Sequence, residues 1–407
     1  MTRPRLLVVG SGGKVFREYA LAAMSRRASL VLASKAELTW QAPYVDDVAF
    51  VDPDDPVALL EAAREARIDG VLTYDELLVE RVAQVAQELG LPSAGVAPVR
   101  RCKDKLMLRD RLKAAGLSGV AHAVADDVQE AVAAAAGIGY PLVLKPRALG
   151  GSIGVVRVDD ERELVDKFGV ARDARAEGVA SAYTGVVLEE YVDGPEYSLD
   201  AATWNGVTTP LVLAEKTVAF PPYFEETAHL VPGTPRDGLE DAIGLVVAAH
   251  RAIGLDRLVT HSEFRLSSRG PRIIEINARL GGDLIPYLGQ LASDVDLAGA
   301  AASIALDREP DLSRTEQRTA GVVMVYPEHD LRFESAALRR DPATYEGLER
   351  FEVIATAGSE LRLPPRGFLF SRVAFAIVTG ASRAECEARM QAVRADVVIN
   401  ASALNGS

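Results

Sequence analysis

Cysteine is scarce: Cys102 and Cys386 are the only two in 407 residues, and they sit in neither metal-like nor redox spacing. That excludes a disulfide framework and makes a reducing cytoplasm the expected home. Long apolar runs are missing too, since none approaches the ~20 residues a transmembrane helix needs. The opening "MTRPRLLVVGSGG" passes from two arginines into a four-residue apolar run and a glycine turn, too short for a signal-peptide core. Positive charge is not in excess. The net charge is −13 with no strongly basic run, so neither a nucleic-acid partner nor a membrane partner is indicated. Internal repeats and low-complexity blocks are absent, as is any persuasive Ser/His/Asp or cysteine nucleophile. What is present is an ordinary globular balance, 48% hydrophobic and 25% charged, in a chain long enough for two or three domains.

The first hundred or so residues alternate β-like runs, "RLLVVG", "SLVLA", "DVAFV" and "DGVLTY", with helical patterns, the second of which opens on Asp55 and Pro56 as cap and first-turn residue. This order predicts a parallel, Rossmann-like α/β unit over residues 1–98. "LPSAGVAPVRR" reads as a linker, followed by the helix "CKDKLMLRDRLKAAGL". A central α+β unit over 99–308 includes a glycine-rich lid at about 118–190, and 309–407 form a smaller α+β unit that ends in a frayed "NASALNGS".

"VVGSGGKV" lacks the third glycine of a dinucleotide fingerprint and the Ser or Thr of a phosphate loop, so Gly10, Gly12 and Gly13 read as a tight turn into a helix. "LVLKPRALGGSIGV" delivers Lys145 on a strand and then Gly150, Gly151, Ser152 and Gly154 in a loop. Such glycines let backbone amides approach phosphate oxygens, and a lysine adds a compact charge, although an ordinary hairpin connection fits the same residues. Lys105 alone would be a solvated surface lysine. In "VVLEEYVDGPEYSLD", Glu189, Glu190, Tyr191, Val192 and Glu196 suit either a surface acidic patch or acceptors for an adenine and a ribose.

"HSEFRLSSRGPRIIEINARLGGD" predicts a β-hairpin turning near Arg269, with residues whose numbers sum to 538 facing each other. Glu263 then opposes Glu275 at a Cβ separation of about 4.5–5.5 Å, normally a destabilising pair. By alternation, Glu263, Glu275, Asn277 and Arg279 share one face, and Phe264, Leu266, Ile274 and Ile276 share the core face. Oxygen ligands of this kind suit magnesium, which would turn the repulsion into attraction. The alternative is an exposed face whose glutamates pair with Arg265 or Arg272.

The order of these motifs, ending in Glu-x11-Glu-x-Asn-x-Arg, resembles the ATP-grasp superfamily of ligases over nearly the whole chain. "EKTVAFPPYFEETAHLVPG" followed by "EINARLGGDLIPYL" is similar to its carboxylate–amine ligases that join amino acids, the L-amino acid ligase and carnosine synthase type. The resemblance implies an α/β ATP-grasp architecture: an N-terminal Rossmann-like parallel sheet, a central ATP-grasp domain and a C-terminal α+β domain. It also implies Lys105 and Lys145 on ATP phosphates under a closing loop from Gly150 to Gly154, with Glu189, Glu190 and Val192 around adenine and Glu196 on the ribose. Glu263, Glu275 and Asn277 would hold magnesium or manganese, Arg279 would face the transferred phosphate, and Gly281 and Gly282 would admit the substrate. Lys216 and His229 fall at further catalytic positions of the subgroup, although His229 alone is equally a packed structural histidine. The implied reaction makes a peptide or amide bond between small amino-acid-like molecules through an acyl phosphate. Alternatives are a ligase activating bicarbonate or a purine precursor, without a biotin-carrier segment to favour a carboxylase, and an ATP-binding module without chemistry. A homodimer is the default assembly.

Overall fold

The structure is a computed structural model that describes residues 3–117, 119–174, 183–315 and 317–404. Near the N-terminus, Arg5–Val9 lies between Ser29–Ser34 and Gly70–Leu72 in a four-stranded sheet whose pairs are all parallel, with Asp47–Phe50 on the far edge. All four expected strands are there. Asp55 caps the helix Pro56–Glu65 by accepting from the Val57 and Ala58 amides, which satisfies two of the donors a helix start leaves unpaired.

The expected linker is not one. Helix Val96–Lys103 begins inside it, and the helix read as starting at Cys102 begins instead at Lys105. Asp104 separates the two because its backbone is extended, with ψ 106°, and its side chain accepts from the Leu106 amide. The change places Lys105 in the first turn of helix Lys105–Ala114.

An eight-stranded antiparallel sheet forms the centre, in the order Gly270–Asn277, Leu258–Ser267, Glu196–Trp204, Val207–Ala219, Glu225–Val231, Thr319–Val325, Ala374–Gly380, Leu348–Val353. Strands from beyond residue 309 thus continue the sheet that carries the glutamate hairpin. A second, four-stranded antiparallel sheet runs His122–Ala125, Val186–Glu190, Leu142–Pro146, Val156–Val158 and stands opposite the large sheet across a cleft. The tail also departs from expectation, since Val397–Ala403 is a strand paired with Leu331–Leu338 and Asn400 donates to Ser335 Oγ at 2.9 Å. The largest buried cluster joins Leu21 and Met24 of helix Lys14–Ser25 to Val212, Val322 and Phe375 of the large sheet. The N-terminal unit is therefore anchored on the sheet that bears the site. No helix among the described residues is long and apolar enough to cross a membrane.

Candidate active site

The hairpin strands pair with Glu263 opposite Glu275 and His261 opposite Asn277, the expected register. One residue further on, the register shifts and Phe264 faces Ile273, so a bulge at Ile274 separates the site half of the hairpin from the turn half. As a result Ile274 leaves the core face assigned to it and lines the cleft. Ile273 takes its place beside Phe264 and Ile276 in the core.

Each facing glutamate has its own cation. Glu263 Oε2 lies 2.8 Å from Lys216 Nζ, and Glu275 Oε2 lies 3.1 Å from Lys105 Nζ. Asn277 Nδ2 also donates to Glu275 Oε1 at 2.8 Å. Burial opposes ionisation of Glu275, yet Lys105, Asn277 and Lys145 together outweigh it and hold the carboxyl down to about 2. The surface pairing with Arg265 or Arg272 does not form. Arg265 instead forks onto Glu196, with Nε and Nη2 at 2.9 and 2.8 Å from Oε2.

Lys216 is the hub of the site. Its Nζ lies 2.8, 2.9 and 2.8 Å from Glu196, Glu226 and Glu263, and its side chain is 1% exposed. Burial disfavours the charge, but three carboxylates outweigh it and keep the ammonium charged well above the ordinary lysine range. Lys105 is likewise buried, with Nζ donating to the Leu149 carbonyl at 2.6 Å. Lys145 Nζ meets Glu189 Oε2 at 2.7 Å, and burial lowers its pKa to about 8. Burial also works against Glu189, yet Arg109 and Lys145 bring it down to about 2. Arg109, 1% exposed, holds both oxygens of Glu189 at 2.8 Å and donates to the carbonyls of Ile273 and Ile274 at 2.7 and 2.9 Å. Glu190 turns outward, accepting from Arg269 Nη2 and the Ala121 amide. Arg265 also donates to the Val192 carbonyl at 2.8 Å.

Gly151, Ser152 and Gly154 all take positive φ, at 64°, 55° and 75°. A Cβ at Gly154 would come within 2.4 Å of Ala174 Cβ, so the loop follows this path because glycine stands there. Arg279 Nε donates to Glu76 Oε2 at 2.7 Å, a partner from the N-terminal unit. His229 Nε2 lies 3.1 Å from Glu226 Oε2 and 3.3 Å from Asp283 Oδ2, and Asp283 is forked by Arg372 at 2.6 and 2.8 Å. Oxygens of Glu226 and Asp283 and a nitrogen of His229 fall within 4.8 Å of one another. Lys216 and Arg372 pair with those two carboxylates, and His229 lies between them. His261 is held between Asp200 Oδ1 at 2.5 Å and Glu263 Oε1 at 3.3 Å. Burial opposes its charge, but the two carboxylates outweigh it and push its pKa up to about 9. Gly281 stands against Asp200 and His261, while Gly282 opens onto a cavity.

Two cavities meet here. One, about 700 Å³, is lined by Lys105, Lys145, the Gly150–Ser152 backbone, Glu189, Glu190, Val192 and Glu196, together with apolar Val143, Val155, Phe224 and Ile274. The other, about 610 Å³, is lined by Arg279, Gly282, Asp283, His261, Arg372 and Leu369. Gly151, Ser152, Glu226, Glu263 and Glu275 belong to both walls. Glu263 and Glu275 stand at the junction, with Asn277 bonded to Glu275, and carboxylate and amide oxygens are the hard donors that suit a divalent cation.

Arg109 was legible in principle, since it lies one helical turn after Lys105 on the same face, and Arg265 is two residues beyond Glu263 on the same strand face. Glu76, Asp200 and Arg372 gave no local signal, because their partners lie 203, 61 and 89 residues away.

Residues 138–287 match the family model of the ATP-grasp domain, and residues 28–93 match that of the ATP-grasp N-terminal domain. The alanine–anticapsin ligase of Bacillus subtilis is 28% identical over 283 residues, which are 62% of this chain and 59% of that protein. Human carnosine synthase 1 is 28% identical over 305 residues, 70% of this chain and 36% of that one. The chain spans 57–62% of the length of the first four curated relatives it matches. The crystal structure of an L-amino acid ligase from Bacillus licheniformis superposes with a TM-score of 0.82 at 22% identity, covering 100% of both chains. With its two matched domains, its mixed α/β fold and the lysines, glycine loop and glutamate hairpin gathered round one cleft, the chain belongs to the ATP-grasp superfamily.

Proposed function

We propose that the protein is an ATP-dependent carboxylate–amine ligase, joining small amino-acid-like substrates through an acyl phosphate and releasing ADP and phosphate. One observation carries this reading: the two cavities share Glu263, Glu275 and the glycine loop as a common wall. A nucleotide in the larger cavity would present its terminal phosphate at the junction, facing a substrate in the other. The division into 1–98, 99–308 and 309–407 and a cytoplasmic home belong to the same proposal, the latter supported by two buried free cysteines.

Lys105 and Lys145 neutralise the phosphates, and the Gly150–Gly154 loop covers them. Val143, Val155, Val192, Phe224 and Ile274 enclose the base, with the Glu189–Glu190 strand at its edge and Glu196 toward the ribose. Glu263, Glu275 and Asn277 hold magnesium, which when bound draws charge from the phosphate oxygens. Arg279 faces the transferring group from the substrate side. A carboxylate oxygen of one substrate attacks the γ-phosphorus, forming a C–O–P linkage as the bond to ADP breaks. The amine of the second substrate then attacks the carbonyl carbon, phosphate leaves, and the nitrogen gives up its proton. Glu226 and Asp283 line the substrate cavity as ion-paired polar groups, with Lys216 holding Glu226, Arg372 holding Asp283 and His229 bridging the two. Such chemistry needs positioning and charge neutralisation rather than a protein nucleophile, and the glycine loop keeps water from the acyl phosphate.

The relatives named above support an amino-acid ligase over a bicarbonate or purine-pathway enzyme. The test is phosphate release from ATP across a panel of amino-acid pairs, with mass spectrometry of the products. Release that depends on both partners and yields their condensation product is expected. Release indifferent to the amine in every pair overturns the reading.

A further inference from the structure

The large sheet lays two rows of side chains side by side. Asp200, His261 and Asn277 are direct neighbours across three strands, and Ser198, Glu263 and Glu275 form the next row on the same strands. The first row is thus stitched to the second at the two positions expected to meet a metal. Within it the histidine bridges two carboxylates: Nδ1 lies 2.5 Å from Asp200 Oδ1, and Nε2 lies 3.3 Å from Glu263 Oε1. Asp200 is 0% exposed, and His261, although it lines the smaller cavity, is 4% exposed with both ring nitrogens engaged by carboxylates.

Space has been cleared for this pair. A Cβ on Gly281 would stand 2.9 Å from His261 Nδ1 and 3.0 Å from Asp200 Oδ2. The Gly281 carbonyl is in turn held by Arg17 Nη1 at 3.1 Å. Gly281 thus leaves the room that this pair occupies. Glu263 has one oxygen on Lys216 and the other on His261. Each carboxylate oxygen has two lone pairs, so both contacts leave an acceptor site on Glu263 while fixing the side chain's rotamer.

We propose that Asp200 and His261 are positioning residues that act through Glu263: the histidine, locked by the aspartate, holds this carboxylate where it can share a divalent cation with Glu275 and Asn277. The proposal rests on the metal role given to Glu263 above. Outer partners of a metal ligand typically contribute about 10–100-fold in metal affinity.

The two ring nitrogens can be tested separately, because an asparagine amide stands near Nδ1 and a glutamine amide near Nε2. His261→Asn retains the contact to Asp200 and loses the one to Glu263, whereas His261→Gln retains the donor to Glu263. Mn²⁺ binding to the full chain in the presence of ADP is read by electron paramagnetic resonance, with the melting midpoint recorded for each variant. The expected result is a roughly 10–100-fold loss of Mn²⁺ affinity in His261→Asn, a smaller loss in His261→Gln, and no further loss when His261→Asn is added to Glu263→Gln. Equal affinities in His261→Asn and the unaltered chain, or losses that add fully to that of Glu263→Gln, overturn the positioning role. If Glu263→Gln itself leaves Mn²⁺ affinity unchanged, the metal reading fails, a result distinct from either. Should His261→Asn not fold, Asp200→Asn, which keeps the side-chain size, carries the same comparison.

Discussion

Replacing Lys216 by methionine removes the one ammonium shared by Glu196, Glu226 and Glu263. At 2.8–2.9 Å each contact is worth about 6 kcal/mol of attraction at an effective dielectric of 20. Most of this is offset by the cost of taking the charges out of water, and removing one partner of a buried pair typically leaves a net loss of about 3–5 kcal/mol. At roughly 2.1 cal/mol/K per residue over 407 residues, that is a fall in melting midpoint of about 4–6 °C if the chain unfolds as one unit. The pH dependence distinguishes this cause from a simple packing loss. Burial opposes ionisation of Glu196 and Glu226, but Lys216, joined by Arg265 at the first and His229 at the second, outweighs it and lowers both pKa values. A carboxyl lowered on folding contributes stability that is complete above its unfolded pKa, ~4.3 for glutamate, and is lost as the pH falls through the folded value. Without Lys216 the carboxyls lose their largest opposing charge, so their pKa values rise and they relieve their repulsion by taking up protons at higher pH. The gap between variant and parent is therefore expected to be widest near pH 7 and to narrow toward pH 4.5. Scanning calorimetry across that range reads it, and a gap independent of pH, or none at pH 7, refutes the reasoning.

Arg109→Met leaves Glu189 with Lys145 alone and takes a donor from two carbonyls of the hairpin, and we expect a loss of about 3–5 kcal/mol in urea unfolding. Arg109→Lys recovers little of it, because one ammonium cannot reproduce the planar fork. Lys145, lowered to about 8 by burial, is charged below that pH and neutral above it. ATP affinity measured by calorimetry is expected to fall as pH rises through about 8, and Lys145→Arg to flatten the fall. Glu275→Gln is expected to abolish magnesium-dependent turnover while leaving the circular dichroism spectrum unchanged; parental turnover in that variant contradicts the assigned role.

The glutamate hairpin was legible because strand alternation and a Ser-Arg-Gly turn are local signals. The bulge at Ile274 was not, since which isoleucine enters the core depends on Phe264 and on a helix, Leu239–Ile253, packed from elsewhere in the chain. The break at Asp104 was missed because an aspartate inside a helical pattern looks like a surface residue until its side chain is seen capping the next turn. The C-terminal strand looked like a tail because "NASA" has no apolar face of its own, and its stability comes from the partner strand 331–338. Lys216 was identified by resemblance, but its three carboxylates come from three different strands, a convergence set by sheet register rather than by spacing.

The central claim is that a substrate carboxylate is activated by phosphorylation, and the most direct measurement follows an oxygen atom. With an amino-acid substrate labelled with ¹⁸O in its carboxylate, attack on the γ-phosphorus leaves one labelled oxygen bridging carbon and phosphorus, and amine attack expels it with the phosphate. Mass spectrometry of the released phosphate is expected to show one ¹⁸O per turnover. Phosphate free of label, alongside condensed product, contradicts the account.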